Sequence, residues 1–157
     1  MAHIATQEVF AHTDALVETW GIGAATRQNT LVKQAGSNRF GVTLTDTIGV
    51  ARPDLDKTLY GDVKITGVTQ PGVGNDKATA VGTYATGVAT DGTWEFESIV
   101  STGTTPAPTT TAQGAVVYAT GAGALTLEAA SNTRVGVVNY PATYAKVAGT
   151  LPVKVGA

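Results

Sequence analysis

The chain has 157 residues, of which 43% are hydrophobic and only 14% charged, with a formal net charge of −2 and no cysteine. This length suits one domain that can fold on its own apolar core without metals or disulfides. The Lys and Arg residues are scattered, so no basic surface for nucleic acid is expected. The sequence shows neither a secretion signal nor an apolar run long enough to span a membrane, so we expect cytosolic synthesis as a soluble protein.

Two parts of unequal size are predicted, an N-terminal arm at residues 1–26 and a single β-barrel-like domain at residues 27–157. The arm carries apolar side chains at mixed spacing. Thr13 and Asp14 are suited to cap a short helix that ends before Gly21, because their side-chain oxygens accept hydrogen bonds from free backbone N–H groups. The arm is therefore expected to contain one or two helical turns.

After the arm, short β-branched runs alternate with Gly, Asn, Asp and Pro. This pattern predicts an all-β fold, a small β-barrel or β-sandwich of short antiparallel strands. The predicted strands cover residues 30–34, 39–45, 62–69, 78–89, 93–100, 115–120, 124–128, 134–140 and 147–155.

Turn signals separate several of these strands. Residues 35–38 (AGSN), 90–93 (TDGT) and 120–123 (TGAG) each contain Gly beside small polar residues. Asp91 and Gly92 are a preferred pair at the corner of a two-residue hairpin. We therefore expect each of these turns to join neighbouring antiparallel strands.

Two consecutive segments indicate which parts of the chain face water. Trp94 and Phe96 alternate with Glu95 and Glu97, which predicts a strand with an aromatic buried face and a solvated acidic face. The low-complexity run at residues 101–111 contains two prolines that would break a central strand. It is predicted to be an exposed loop.

A faint internal repeat is present. Residues 39–42 (RFGV) echo residues 134–137 (RVGV). In a chain so rich in Gly and Val, an echo this short arises easily by chance, and repeat architectures need longer and more regular periods.

Residue types that perform chemistry are few. His3 and His12 lie in the arm, far in sequence from a carboxylate that would orient either as a base. Asp54 and Asp56 resemble the opening of a calcium loop, but the required Gly and the final Glu are missing. We therefore expect no enzyme, no catalytic residue, no cofactor and no metal.

The order of the short motifs carries a resemblance to a known family. The motifs are residues 39–46 (RFGVTLTD), 112–118 (AQGAVVY), 124–127 (ALTL), 132–138 (NTRVGVV) and 151–155 (LPVKV). In this order they resemble the strands of the bacteriophage capsid decoration, or cement, proteins, and the likeness spans residues 27–156. The long arm, the segment at 52–77 and the loop at 101–111 depart from the family pattern.

The resemblance implies a structural protein of the virion without catalytic activity. Such a module binds the major capsid protein on the outer surface of the mature phage head, often as a homotrimer, and stabilises the shell. No nucleic acid, membrane or cofactor is implied as a partner.

Contact residues are predicted mainly in the arm, because apolar anchors in an extended segment fit grooves and sheet edges. For Trp20, closing the bottom of its own barrel is an equal alternative, and for the two tyrosines a packed corner at the end of a strand is the competing interpretation. The predicted capsid or inter-subunit contacts are Val9, Phe10, Leu16, Trp20, Tyr140 and Tyr144.

A carbohydrate- or receptor-binding β-domain of a phage tail fibre or surface adhesin is the alternative function. Low charge and Thr-rich loops suit it equally well. Sugar sites generally present exposed Trp or Tyr beside polar groups. The exposure of the 2 Trp residues therefore discriminates between the two functions.

Overall fold

The computed structural model describes residues 5–8, 16–47, 50–51, 58–59, 63–64, 69–70, 84–145 and 148–157. The described residues form strands, turns and loops and contain no helix, as expected for an all-β fold. In this part of the chain no helix is long and apolar enough to cross a membrane. The strands form two curled antiparallel sheets, each resembling half a barrel.

The larger sheet consists of β1 (Ala5–Glu8), β10 (Thr93–Phe96), β11 (Val116–Ala119), β12 (Leu125–Thr126), β13 (Thr133–Val138) and β14 (Leu151–Val155). Its six strands follow the order β1-β10-β14-β13-β11-β12. β14, the last strand in the sequence, therefore lies in the middle of the sheet between β10 and β13.

The smaller sheet consists of β2 (Val17–Ile22), β3 (Leu31–Lys33), β4 (Phe40–Thr43) and β9 (Tyr84–Ala89). Its four strands follow the order β2-β9-β4-β3, so β2 and β3 are its edges. Two short antiparallel pairs complete the described strands. They are β5 (Val50–Ala51) with β8 (Thr69–Gln70), and β6 (Thr58–Leu59) with β7 (Val63–Lys64).

The main core joins the two sheets. Val42 and Ala89 enter it from the four-stranded sheet, and the other members come from the six-stranded sheet and the segments beside it. Those members are Trp94, Phe96, Ile99, Val117, Ala119, Leu125, Val135, Val138, Leu151, Val153 and Val155. Burial of each large apolar side chain contributes about 1.5–3 kcal/mol.

A second, smaller cluster contains Trp20, Val32 and Val88, with Ile22 packed against it. Val88 and Ala89 are consecutive in β9 and therefore point to opposite faces of the sheet. The two clusters consequently lie on opposite faces of the four-stranded sheet.

The helix predicted in the arm is wrong for residues 17–22. They form β2, which pairs with β9 along its whole length without a shift in register. Val17, Thr19, Trp20 and Ile22 are β-branched or aromatic residues that fit a pleated sheet, and this preference outweighs the capping signal. Thr13 and Asp14 lie outside the described residues.

Two of the three predicted hairpin turns are confirmed. Residues 35–38 join β3 to β4, and residues 120–123 join β11 to β12. Asp91 and Gly92 do not form a hairpin, because β9 and β10 belong to different sheets. The carbonyl of Gly92 accepts a hydrogen bond from Val155 N at 2.9 Å, which ties this corner to β14. Here the Asp91-Gly92 turn lies where the chain passes from the four-stranded sheet to the six-stranded sheet.

The Pro- and Thr-rich loop is exposed only in part. Residues 102–105 and 109–110 are exposed, but Ala107 and Thr111 are 6% and 5% exposed. The N–H of Ala107 lies 3.1 Å from Thr110 Oγ1 and 3.2 Å from Thr111 Oγ1. The two threonine hydroxyls thus accept the backbone hydrogen bond that a neighbouring strand would otherwise accept. Residues 106, 107 and 111 can therefore be buried.

Candidate interaction surface

The start of β2 carries an exposed apolar step, which is formed by the side chains of Leu16 and Val17. Leu16 is 58% exposed and Val17 50% exposed. The backbone beneath them is fixed, because Leu16 N donates to Asp91 Oδ1 at 3.1 Å and the Leu16 carbonyl accepts from Thr90 N at 2.9 Å. The step is therefore held in place by the crossing between the two sheets.

Beside this step lies an open groove of about 640 Å³ at one end of the molecule. Leu16 lines it together with Arg39 and Phe40 from the start of β4, and Arg134 and Val135 from the start of β13. Each sheet thus contributes an arginine followed by an apolar residue. These are the first two residues of the RFGV and RVGV echo. The shared groove is a structural reason for the echo, as an alternative to chance.

The glycine of each echo explains why the two segments share a pattern. A Cβ on Gly136 would overlap the backbone carbonyl of Lys154, and one on Gly41 would overlap Val88 and the carbonyl of Ala89. Each neighbouring strand therefore approaches too closely for any other residue. Arg39 and Arg134 were not among the predicted contact residues, and the echo was the sequence signal that marked them.

The two arginines of the groove differ in their electrostatic state. Arg39 makes two hydrogen bonds to the Glu18 carboxylate, to Oε1 at 2.5 Å and to Oε2 at 3.0 Å. The guanidinium carbon of Arg39 also lies 5.6 Å from the centroid of the Trp20 ring. Arg134 is exposed and makes no ion pair within the part of the chain that the structure describes.

The Glu18 carboxylate is held in its charged form. Hydrogen bonds from Arg39 and then from Trp20 Nε1, the latter at 2.9 Å, lower the pKa of Glu18. The same ion pair raises the pKa of Arg39. Arg39 is thus neutralised within the chain, whereas Arg134 has no ion pair among the described residues.

A buried carboxylate lies elsewhere, on β10. Glu95 is only 3% exposed, so the predicted solvated face is wrong at this position, whereas Glu97 is exposed. Tyr144 covers it and donates its hydroxyl hydrogen to Glu95 Oε2 at 2.6 Å. Burial first, and then the Glu95 carboxylate, raise the pKa of Tyr144. The alternation of β10 did not reveal that the loop after β13 folds over its second face.

The predicted contact residues divide between surface and interior. Leu16 is exposed at the groove, whereas Trp20 is 3% exposed within the smaller cluster, on the face of the four-stranded sheet opposite the main core. Tyr140 and Tyr144 are brought together with ring centroids 6.2 Å apart and are half-buried at a corner beside the loop at 106–111. Val9 and Phe10 lie outside the described residues.

No group of three or more His, Cys, Asp or Glu side chains suited to a metal occurs among the described residues. His3, His12, Asp54 and Asp56 lie outside them. No protein-family model, curated protein or solved structure matches the chain. The likeness to capsid decoration proteins therefore remains a prediction that rests on motif order.

Proposed function

We propose that the chain is a bacteriophage capsid decoration protein that binds the major capsid protein on the outer surface of the mature head. The observation that carries the proposal is the groove, which is lined by exposed Leu16, half-buried Phe40 and Arg134, an exposed cation with no ion pair among the described residues. Protein interfaces are enriched in aromatic residues and Arg, and Phe40, Arg39 and Arg134 supply such groups here among polar neighbours that include Asp91.

The framework around the groove suits a mechanical role. Its residues start β2, β4 and β13, and their backbones are fixed by strand pairing. A surface built on paired strands loses little conformational entropy on binding, so more of the contact energy is retained as affinity. Such a module clamps neighbouring capsid subunits without rearranging itself.

The stabilisation follows from mass action. A protein that binds the assembled shell but not its free subunits shifts the equilibrium toward the shell, and the shift grows with the free concentration of the protein. Association of two or more copies would let several modest contacts act together.

The alternative, a carbohydrate- or receptor-binding domain, has less support. Trp20 and Trp94, the 2 tryptophans of the chain, are 3% and 6% exposed. Neither indole presents a free face on which a sugar ring would stack. Binding on a glycan array in place of capsid binding would favour this alternative.

The test is cosedimentation of the purified chain with mature capsids that lack it and, separately, with unexpanded procapsids. We expect saturable binding to the mature shell and a higher temperature of thermal disruption for the decorated shell. Binding to neither shell would overturn the proposal.

Two variants locate the contact in the groove. Arg134→Ala removes the unpaired cation, and Leu16→Asn removes the exposed apolar side chain, so each is expected to weaken capsid binding at least about tenfold. Lys33→Ala and Val100→Asn are the matched controls, since Lys33 and Val100 are exposed but do not line the groove. Equal effects in variants and controls would place the capsid contact elsewhere.

A further inference from the structure

The outer side of β2 is an open sheet edge. Thr90 N donates to the Leu16 carbonyl, whereas Leu44 N, on the β4 side, donates to the Gly87 carbonyl. Backbone groups of successive strand residues point alternately to the two sides. The N–H and C=O groups of Glu18 and Trp20 therefore face β9, and those of Val17, Thr19 and Gly21 face outward.

Nothing in the described part of the chain pairs with these outward groups. Sheet edges are ordinarily guarded by Lys, Pro, a bulge or a covering segment, because open edges recruit other strands. β2 contains no Lys, Pro or bulge, and its one charged residue, Glu18, is paired with Arg39 of the same copy. The other edges of the two larger sheets have one each: β3 ends in exposed Lys33, β1 shifts register against β10, and β12 is covered by a bridge from Val100.

The side chains of Val17 and Thr19 at this edge are also exposed. Val17 lies directly opposite Ala89 and therefore on the same face of the sheet, the face that contributes to the main core. Ala89 is fully buried, but Val17 is 50% exposed. The core-facing surface thus extends past the part of the molecule that covers it.

We propose that two copies of the chain pair through β2, antiparallel and related by a two-fold axis at Thr19. In this register Thr19 lies opposite Thr19 of the second copy, and Val17 lies opposite Gly21. All three outward-facing residues of each strand then exchange hydrogen bonds, about six in total. Each Val17 gains a neighbour with no side chain, over which it packs.

Charge selects this register over its neighbours. A shift that centres the axis on Glu18 would place two carboxylates directly opposite and would retain fewer hydrogen bonds. With the axis at Thr19, each Glu18 lies opposite Trp20 of the second copy. Because Arg39 lies over Trp20 and binds Glu18 in each copy, carboxylates and guanidiniums of the two copies alternate. β2 is therefore self-complementary in shape and in charge.

This contact goes beyond the proposed function, and the solution mass tests it directly. Sedimentation equilibrium of the full chain is expected to give a concentration-dependent dimer. Thr19→Pro removes an outward N–H without removing a bond to β9, and Val17→Lys adds a charge to the interface. Each is expected to weaken dimerisation at least about tenfold. Thr19→Val, which keeps the N–H, is the matched control and remains dimeric.

Cross-linking tests the register. The chain contains no cysteine, so Thr19→Cys places one thiol in each copy. In a hydrogen-bonded antiparallel pair the Cα atoms lie about 5.5 Å apart, within the range of a disulfide. Thr19→Cys is expected to form a covalent dimer on mild oxidation, whereas Val17→Cys and Lys33→Cys are not.

A monomer at all concentrations, a trimer, or efficient cross-linking of Val17→Cys in place of Thr19→Cys would overturn the inference. A trimer does so because a closed trimer uses head-to-tail contacts, which a two-fold edge pairing does not supply. The proposed function fails separately. A monomer that binds capsids overturns only the pairing, and a dimer that binds no capsid overturns only the decoration function.

Discussion

The six-stranded sheet is covered on both faces at its centre, whereas the four-stranded sheet is uncovered along β2. β10 is buried at every position, with Phe96 in the main core and Glu95 beneath Tyr144. β2 is buried only at Trp20, and its other positions are exposed or half-exposed. We therefore expect different tasks for the two sheets: the first supplies most of the stability, and the second supplies the open edge of β2 and one side of the groove.

The largest effect is expected where the main core is densest. Phe96→Ala removes a fully buried ring and is expected to lower the free energy of unfolding by about 3–5 kcal/mol, since the cavity collapses only in part. Urea denaturation followed by tryptophan fluorescence measures the change. Trp20→Ala, in the smaller cluster, is expected to cost less and to leave the six-stranded sheet intact. A greater loss from Trp20→Ala would reverse the assignment of tasks.

A smaller effect is expected at the second face of β10. Tyr144→Phe removes the donor to Glu95 Oε2 and leaves a buried carboxylate with one hydrogen bond fewer, so a loss of about 1–3 kcal/mol is expected. Tyr118→Phe is the matched control, because no hydrogen bond involves the hydroxyl of this half-buried tyrosine in the described structure. Equal stability of the two variants would show that the 139–145 loop is held by packing alone.

Alkaline pH tests the same contact without a core mutation. The pKa of Tyr144 is raised in the folded chain from an ordinary value of 10.0, so the folded state retains this proton to higher pH than the unfolded state. Its contribution is fully present below about pH 10 and is lost as pH rises through the folded-state value. The free energy of unfolding should therefore fall above about pH 10 more steeply in the wild type than in Tyr144→Phe. Parallel curves would contradict the assignment.

The smallest effect on stability is expected at the ion pair of the four-stranded sheet. Glu18→Gln and Arg39→Ala break a pair whose side chains are 31% and 50% exposed, and pairs so accessible to water contribute little. Because the pKa of Glu18 is lowered, any contribution is present at neutral pH and is lost in acid. Glu97→Gln is the control, and thermal unfolding at pH 7 is the measurement. A large loss would mean that the ion pair fixes β2 in place.

The sequence predicted the fold class and most strands of the described part of the chain, because alternation and Gly-based turns are local signals. It failed where a tertiary neighbour decides the outcome. Residues 90–93 have the chemistry of a hairpin, but the backbone of β14 takes the carbonyl of Gly92 and separates the two strands. Glu95 alternates with aromatic residues as a solvated position does, and only the distant Tyr144 makes it a buried one.

The candidate site was predictable only in part. Leu16 was predicted as an apolar contact residue of the arm, and it is exposed at the groove. Arg39 and Arg134 are far apart in the sequence. They line one groove because the starts of β4 and β13 lie close together in the fold. The open edge of β2 was not predicted, because the capping signal of Thr13 and Asp14 indicated a helix in this segment. Whether a strand has a neighbour on both sides is a property of topology, which local patterns do not encode.

The position of β14 has a consequence for how the protein is made. A ribosome releases β10 and β13 before β14, yet β14 separates them in the finished sheet. During synthesis β10 and β13 therefore each keep one unpaired edge until β14 has emerged, and only then can β14 pair with both of them. Of the two larger sheets, the six-stranded one is thus completed later, because its central strand β14 follows every strand of the other in the sequence.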